Sequence, residues 1–147
     1  MTESPAPGSR VIALDPGRKR IGVAVSDELR LTAHGLDNID VRSSRETIEV
    51  LKDLVRAYNV TEVVVGLPVN MNGTSGAAAE GAVSFARLLR EALPVEVHLL
   101  DERLTSAQAE KTLLEANVSR KKRKGLRDRL AAVLILQSFL DGRNRGD

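Results

Sequence analysis

Residues 11–27 contain two runs of β-forming residues joined by a short turn. The first run ends at Asp15, and Pro16 and Gly17 follow it directly. Proline presets φ and glycine tolerates a positive φ, so this pattern predicts a β-hairpin. A carboxylate beside apolar residues is costly to remove from water unless it is paired or binds a metal. Asp15 is therefore either the cap of the turn, bonded to nearby backbone, or a metal ligand held by a rigid strand.

The rest of the chain alternates between strand and helix patterns. We expect strands within residues 29–39, 62–66 and 95–100, and helices at 43–59, 77–93, 105–116 and 125–140. A hairpin-rich start followed by alternating helices and strands predicts an α/β fold with a mixed five-stranded sheet. That sheet has three antiparallel N-terminal strands and two parallel strands, and helices flank it.

Acidic residues follow two of the strands that are predicted to be parallel. The C-terminal ends of parallel strands share one edge of a sheet, where α/β proteins bind their ligands. Asp15, the loop after Gly66 and the pair Asp101 and Glu102 fall at this edge. Asp27 ends the antiparallel second strand, so we expect it at the opposite edge and outside any site.

A further acid, Asp128, lies on the last predicted helix in register with the apolar Ala132, Ile135 and Phe139. It either forms an ion pair with a neighbouring basic residue or reaches across the sheet edge to the other acids. Converging carboxylates without His or Cys form an oxygen-only site, which suits Mg²⁺ or Mn²⁺. Two such ions about 4 Å apart support phosphodiester cleavage.

Composition excludes several other chemistries. The chain has no Cys and only two His, so it offers no disulfide framework, no thiolate metal site and no Ser-His-Asp or Cys-His constellation. His98 is expected on the less buried side of the sheet or against a core partner. The three aromatic residues fall on apolar helical stripes, so we expect them in the core rather than as a stacking platform for bases; they are Tyr58, Phe85 and Phe139.

The length of 147 residues indicates one domain, predicted at residues 10–142, with a flexible tail at 1–9 and a short tail at 143–147. No apolar run approaches the roughly 20 residues of a membrane span. The N-terminus lacks the apolar segment of a signal peptide. These features predict a soluble cytoplasmic protein that does not associate with a membrane.

Basic residues are concentrated near the last helix. Residues 120–129 hold seven of the chain's 22 basic residues and one of its 20 acidic ones, so the rest of the chain is net negative. Such a patch suits a polyphosphate partner, although basic runs are also common on ordinary solvated surfaces.

Four segments, spread between residues 11 and 140, resemble the motifs of the YqgF (RuvX) nuclease family. They are residues 14–27, residues 65–68 with 72–74, residues 101–106 and residues 124–137. The resemblance implies an RNase H-like fold related to Holliday-junction resolvases. It also implies a metal-dependent nuclease that matures the 5′ end of pre-16S rRNA. Arg18 departs from the family pattern, which often has a small hydroxyl residue there.

Carried over by position, the resemblance makes Asp15, Glu102 and Asp128 the metal-binding and catalytic carboxylates, with Asp101 as the nearest alternative to Glu102. Several basic and polar residues are expected to bind nucleic-acid phosphates, at the cut or beyond it. They are Lys19, Arg20, Arg103, Arg120, Lys121, Lys122, Arg123, Lys124, Asn72 and Thr74.

Three alternatives remain open on the sequence. A Holliday-junction resolvase would make two symmetric cuts in branched DNA as a two-fold homodimer, whereas trimming structured RNA such as pre-16S rRNA needs only a monomer. A nucleic-acid-binding module without catalysis would keep the fold. An ATPase of the actin and sugar-kinase class begins with a similar turn but needs two such domains.

Overall fold

The computed structural model describes residues 8–68, 76–101 and 120–144. The described residues form five strands and three helices. The strands are β1 (Arg10–Pro16), β2 (Arg20–Ser26), β3 (Ala33–Asp40), β4 (Val60–Leu67) and β5 (Glu96–Asp101). The helices are α1 (Ser44–Ala57), α2 (Ala77–Ala92) and α3 (Arg120–Asn144).

The strands form one sheet in the order β3-β2-β1-β4-β5. β2 is antiparallel to both of its neighbours, and β1, β4 and β5 are parallel. The predicted mixed five-stranded sheet is confirmed. The C-terminal ends of β1, β4 and β5 therefore share one edge, which we call the carboxyl edge.

The turn between β1 and β2 depends on Gly17. Its amide donates to the carbonyl of Arg20 at 3.0 Å, and a Cβ at Gly17 would lie 2.7 Å from that same oxygen. A side chain at this position would therefore force the hairpin open.

Helices cover the sheet on both faces. Alternate residues of β1 belong to different cores: Ile12 and Leu14 pack with α1 and α2, whereas Val11 and Ala13 pack with α3. Small residues line the contact with α3, because Ala13, Ala24 and Ala132 are all fully buried there. These small side chains let α3 approach the sheet closely.

Most element boundaries differ from the predicted ones by a few residues. Residues 43–46 have the sequence of a capping box, and the Ser43 side chain does accept from the amide of Glu46 at 3.1 Å. β3 begins at Ala33 because Asp27 holds residues 27–32 in a turn: its Oδ1 accepts from the amides of Leu31 at 2.7 Å and Thr32 at 3.0 Å. Those amides hold the pKa of Asp27 below its ordinary value. Asp27 follows the end of β2, beside the start of β1, so it lies at the edge opposite the carboxyl edge, as predicted.

The last helix is longer than predicted. It begins at Arg120 instead of near residue 125, so the basic run is part of α3 and does not precede it. Lys and Arg are good helix formers, and a single glycine costs only about 1 kcal/mol in a helix whose later turns are buried. The helix predicted at 105–116 lies outside the described residues.

None of the helices in the described residues combines the length and apolar character needed to cross a membrane. The predicted domain limits and tails remain predictions. Ser9, the last residue of the predicted N-terminal tail, is buried, and its oxygens accept from Arg30.

Candidate functional site

Asp15 lies at the carboxyl edge on the face that α3 covers. It is the sixth residue of β1, pairs with Gly22 and is half-buried. Val11 and Ala13, two and four residues earlier, pack against α3, and side chains alternate along a strand. The Asp15 carboxylate therefore belongs to the α3 side of the sheet.

Helix α3 runs antiparallel to β1. Near the start of β3, Gln137 accepts from the amide of Ala33 at 3.1 Å and donates to the carbonyl of Leu31 at 2.9 Å. Further along β3, Arg129 donates to Asp37 at 3.3 Å. Because β3 is parallel to β1, these contacts place the N-terminal half of α3 toward the carboxyl edge.

The contact of Arg129 with Asp37 shows how far along the strands this part of α3 lies. Asp37 lies between Leu36 and Ile39 of β3, which pair with residues 23 and 21 of β2. Gly22, between those two residues, is the partner of Asp15 on β1. Asp37 and Asp15 are thus at the same level, two strands or roughly 10 Å apart.

Position 128 of α3 is next to Arg129 and one helical turn before Ala132, which is fully buried. Residues four apart share one face of a helix. The backbone of α3 therefore brings position 128 to the edge and the face of Asp15, while the side chain of Asp128 lies outside the described residues.

Asp101 ends β5 at the carboxyl edge but on the other face. Val97 and Leu99 pack in the core of α1 and α2, and alternation assigns Asp101 to the same side. Glu102, Arg103, Asn72 and Thr74, predicted as site residues, lie outside the described residues.

The predicted phosphate-binding cations are placed in two groups. Lys19 is exposed in the turn after β1, and Arg20, the first residue of β2, is half-buried. Apart from Arg103, the remaining cations occupy the first turns of α3, where the backbone is described but the side chains are not; they are Arg120, Lys121, Lys122, Arg123 and Lys124. Their roles remain predictions.

A buried ion-pair cluster at the opposite end of the sheet was not predicted as a unit. Glu62, near the start of β4, is 5% exposed, and its carboxylate binds both His98, at 3.1 Å, and Arg143 of α3. Phe139 packs on the His98 ring, with centroids 5.1 Å apart, which agrees with the second of the two alternatives given for His98, a core partner. The sequence signal that could have marked Glu62 is an acid within a β-branched run.

The Glu62 cluster also has the spacing of metal ligands. Glu62, Glu96 and His98 offer donor atoms within 4.8 Å of one another. Arg143 already occupies the Glu62 carboxylate, and a guanidinium repels a cation. The cluster joins the C-terminal end of α3 to β4 and β5, and it lies at the end of the parallel strands away from Asp15.

We expect Glu62→Gln to lower the free energy of unfolding at neutral pH by about 1–2 kcal/mol, because a charge-assisted hydrogen bond is lost while the half-exposed Arg143 regains water. Burial raises the pKa of Glu62, but Arg143 and His98 outweigh it and hold the pKa below the ordinary 4.5. The unfolded chain therefore takes up this proton first, and stability falls as the pH drops below about 5. When the free energy of unfolding is measured in urea at several pH values, the variant should lack this contribution to the fall in stability at acid pH, which we call the acid slope.

The matched control is Glu91→Gln, because Glu91 is an exposed acid on α2. It should keep both the neutral stability and the acid slope. An unchanged acid slope in Glu62→Gln would contradict the role given to the buried cluster.

The geometry can be compared with known proteins. The chain matches the family model described as "RuvX: Holliday junction resolvase" over residues 9–142. The chain belongs to the RuvX family. The resemblance drawn from its sequence motifs is thereby confirmed.

Relatives of this RuvX chain are close in sequence over nearly their whole length. A "Putative pre-16S rRNA nuclease" of Bacillus cytotoxicus is 49% identical over 136 residues, which are 91% of this chain and 99% of that protein. A protein of the same name from Pelotomaculum thermopropionicum is 52% identical over 137 residues, or 92% of this chain and 89% of that protein.

Solved structures share the fold of the RuvX chain at much lower identity. RuvC of T. thermophilus in complex with a Holliday junction substrate has a TM-score of 0.56 and 19% identity, covering 93% of this chain and 96% of that chain. The fowlpox virus Holliday junction resolvase has a TM-score of 0.55 and 14% identity, covering 90% and 99%. The expected RNase H-like fold is confirmed.

Proposed function

We propose that the chain is a metal-dependent endonuclease that hydrolyses phosphodiester bonds in structured RNA and processes the 5′ end of pre-16S rRNA. One observation carries the proposal: Asp15 and position 128 of α3 share the carboxyl edge, the same face and the same level of the sheet. The names of its RuvX relatives support the choice of rRNA as substrate.

Asp15, Glu102 and Asp128 are the proposed metal ligands. Asp101 belongs to the α1 and α2 side of the sheet and Asp15 to the α3 side, so Asp101 faces away from Asp15, and we therefore favour Glu102 over Asp101. Such a donor set contains only carboxylate oxygens and fits Mg²⁺ or Mn²⁺. When two such ions are bound, they supply the charge that activates water and stabilises the leaving oxygen.

The cations around this edge have a separate task in the proposal. Lys19 in the turn after Asp15 and Arg20 at the start of β2 would, together with Arg103, hold the cleaved phosphate or its neighbours. The basic first turns of α3 would bind the backbone beyond the cut, and Asn72 and Thr74 are further proposed phosphate contacts. Contacts of this kind make binding depend on salt and on shape more than on base identity.

A second candidate is cleavage of four-way DNA junctions by a homodimer. The RuvX family description and the fold shared with RuvC favour it. Two symmetric cuts need paired sites, so this activity requires two copies of the chain.

The test uses two end-labelled substrates, a structured RNA carrying a pre-16S 5′ leader and a four-way DNA junction. Each is incubated with Mn²⁺, Mg²⁺ or EDTA at two protein concentrations. We expect cleavage of the RNA that is linear in protein and absent in EDTA. Paired symmetric nicks in the junction that rise steeply with protein concentration would establish the dimeric resolvase instead. Binding of either substrate without cleavage would replace the proposal with a non-catalytic binding module.

A further inference from the structure

A cavity of about 580 Å³ opens at the carboxyl edge on the face opposite α3, and we call it the edge cavity. It lies between the β1–β2 turn and the first turns of α1 and α2. Its walls include Pro16 and Gly17 of the turn, Ser44 of α1, and Ala78, Gly81 and Phe85 of α2. The volume is in the range of about 300–1,000 Å³ that small-molecule sites occupy.

The chemistry of the edge cavity differs between floor and rim. The floor is apolar, with Ile21 and Phe85 among its residues, whereas Arg18 at the rim is exposed and cationic. Two helices begin there, and Gly76, the N-cap of α2, has no side chain to accept from the first amides. Helix N-termini favour groups that accept hydrogen bonds or carry negative charge. A flat ring that carries acceptor atoms and is attached to a phosphate fits both the apolar floor and the cationic rim of the cavity.

Phe85 is the aromatic residue that this surface offers. As predicted, Phe85 packs against a core, but like Tyr58 and Phe139 it is only partly buried, and it also lines the cavity. Tyr58 lies instead under the Arg10 guanidinium, and Phe139 contacts His98 and Arg143. A base that enters the edge cavity would therefore meet Phe85.

The edge cavity lies close to the proposed catalytic carboxylate. Pro16, in its wall, directly follows Asp15, and their Cα atoms are thus about 3.8 Å apart. The two side chains leave the strand on opposite faces, so the cavity and the carboxylate are separated by the thickness of the sheet edge. A strand of nucleic acid that passes over this edge has a phosphate on one side and a base within reach of the other.

We propose that the edge cavity binds one unstacked base of the substrate, from a nucleotide next to the cleaved phosphate. This inference rests on the proposed nuclease function and adds a specificity element to it. The bound base fixes where the backbone crosses the carboxyl edge and hence which phosphate meets Asp15. Bases extruded from a helix are typically held by stacking and by hydrogen bonds to their edges.

Gly81 provides a test that does not disturb the fold. It lies within α2 and in the cavity wall, and a Cβ added there meets nothing within 4 Å. Gly81→Leu therefore fills part of the cavity, and Gly81→Ala is the matched control with the same gain in helix propensity. Both variants should melt about 2–4 °C higher than the wild type.

The experiment removes bases one at a time. Nucleotides around the cut in the RNA leader are replaced singly by an abasic unit, and kcat/KM is measured for wild type, Gly81→Ala and Gly81→Leu. We expect one position where base loss costs the wild type and Gly81→Ala about tenfold. Gly81→Leu should cut intact RNA about tenfold more slowly and lose nothing further at that position. Additive losses, or no sensitive position, would overturn the inference while leaving the nuclease function intact.

A binding measurement in EDTA separates this inference from catalysis. The RNA carries 2-aminopurine at the sensitive position, or at each position in turn if no cleavage occurs. Its fluorescence should rise when the wild type or Gly81→Ala binds, because the base leaves the stack, and should not rise with Gly81→Leu. A rise of equal size with Gly81→Leu, or no rise with the wild type, would refute the base site whether or not the protein cuts RNA.

Discussion

Asp15→Asn should abolish metal-dependent cleavage, with a loss of more than about 100-fold in kcat, because even outer partners of metal ligands cost 10–100-fold when removed. Asparagine has nearly the shape of aspartate but lacks the charge that a divalent cation requires. Asp15 lies at a strand end, half-buried, so the neutral side chain should be tolerated by the surrounding structure. The expected protein is folded, binds RNA and does not cut it.

Asp53→Asn is the matched control, since Asp53 is an exposed acid on α1. Both variants are compared with the wild type by cleavage in Mn²⁺, by RNA binding in EDTA and by thermal melting. Cleavage by Asp15→Asn at the wild-type rate would remove Asp15 from the metal site. A loss of cleavage shared by Asp53→Asn would mean that the assay responds to net charge and not to a ligand.

The sheet could be predicted because local patterns and chain order agreed. Pro16 and Gly17 marked the hairpin, Ser43 marked the start of α1, and apolar periodicity marked the remaining elements. Once β1 and β2 pair as a hairpin, right-handed crossovers leave few arrangements for the later strands. The position of Asp15 at the carboxyl edge follows from that topology alone.

The Glu62 cluster could not be predicted in the same way. Glu62 and Arg143 are 81 residues apart, and their contact depends on where the C-terminal end of α3 crosses the sheet. The pattern of α3 gives its apolar face but not its direction or its level over β3. Contacts such as those of Gln137 with residues 31 and 33 settle both. The sequence pattern therefore gave no partner for the acid at position 62.

The choice between Asp101 and Glu102 depends on strand parity, which the sequence alone did not fix. A shift of one residue in the assigned strand reverses the face of every side chain. The packing of Val97 and Leu99 against α1 and α2 assigns Asp101 to the side of the sheet away from Asp15. The same alternation of side chains along a strand assigns Asp15 to the α3 side, so the assignments of Asp15 and Asp101 both follow from the geometry of one sheet.

The close packing of α3 on β3 leads to the second prediction, which is also a large effect on kcat. A Cβ at Gly35 would lie 2.8 Å from Cγ and 2.9 Å from Cδ of Arg129, and 3.4 Å from Val133. The absent side chain lets α3 pack directly on β3 beside position 128. We expect Gly35→Val to push this part of the helix outward and lower kcat by about 10–100-fold, since misplacement by about 1 Å has costs of this order.

His34→Val is the matched control because it introduces the same residue into the same strand. His34 is exposed and pairs with Val25, whose side chain packs in the core on the side away from α3. It should retain wild-type cleavage, while Gly35→Ala, which adds one methyl group, should fall between wild type and Gly35→Val. Kinetics in saturating Mn²⁺ and thermal melting distinguish displacement from unfolding. If folded Gly35→Val and Gly35→Ala both keep the wild-type kcat, the contact of α3 with β3 does not position the catalytic acid.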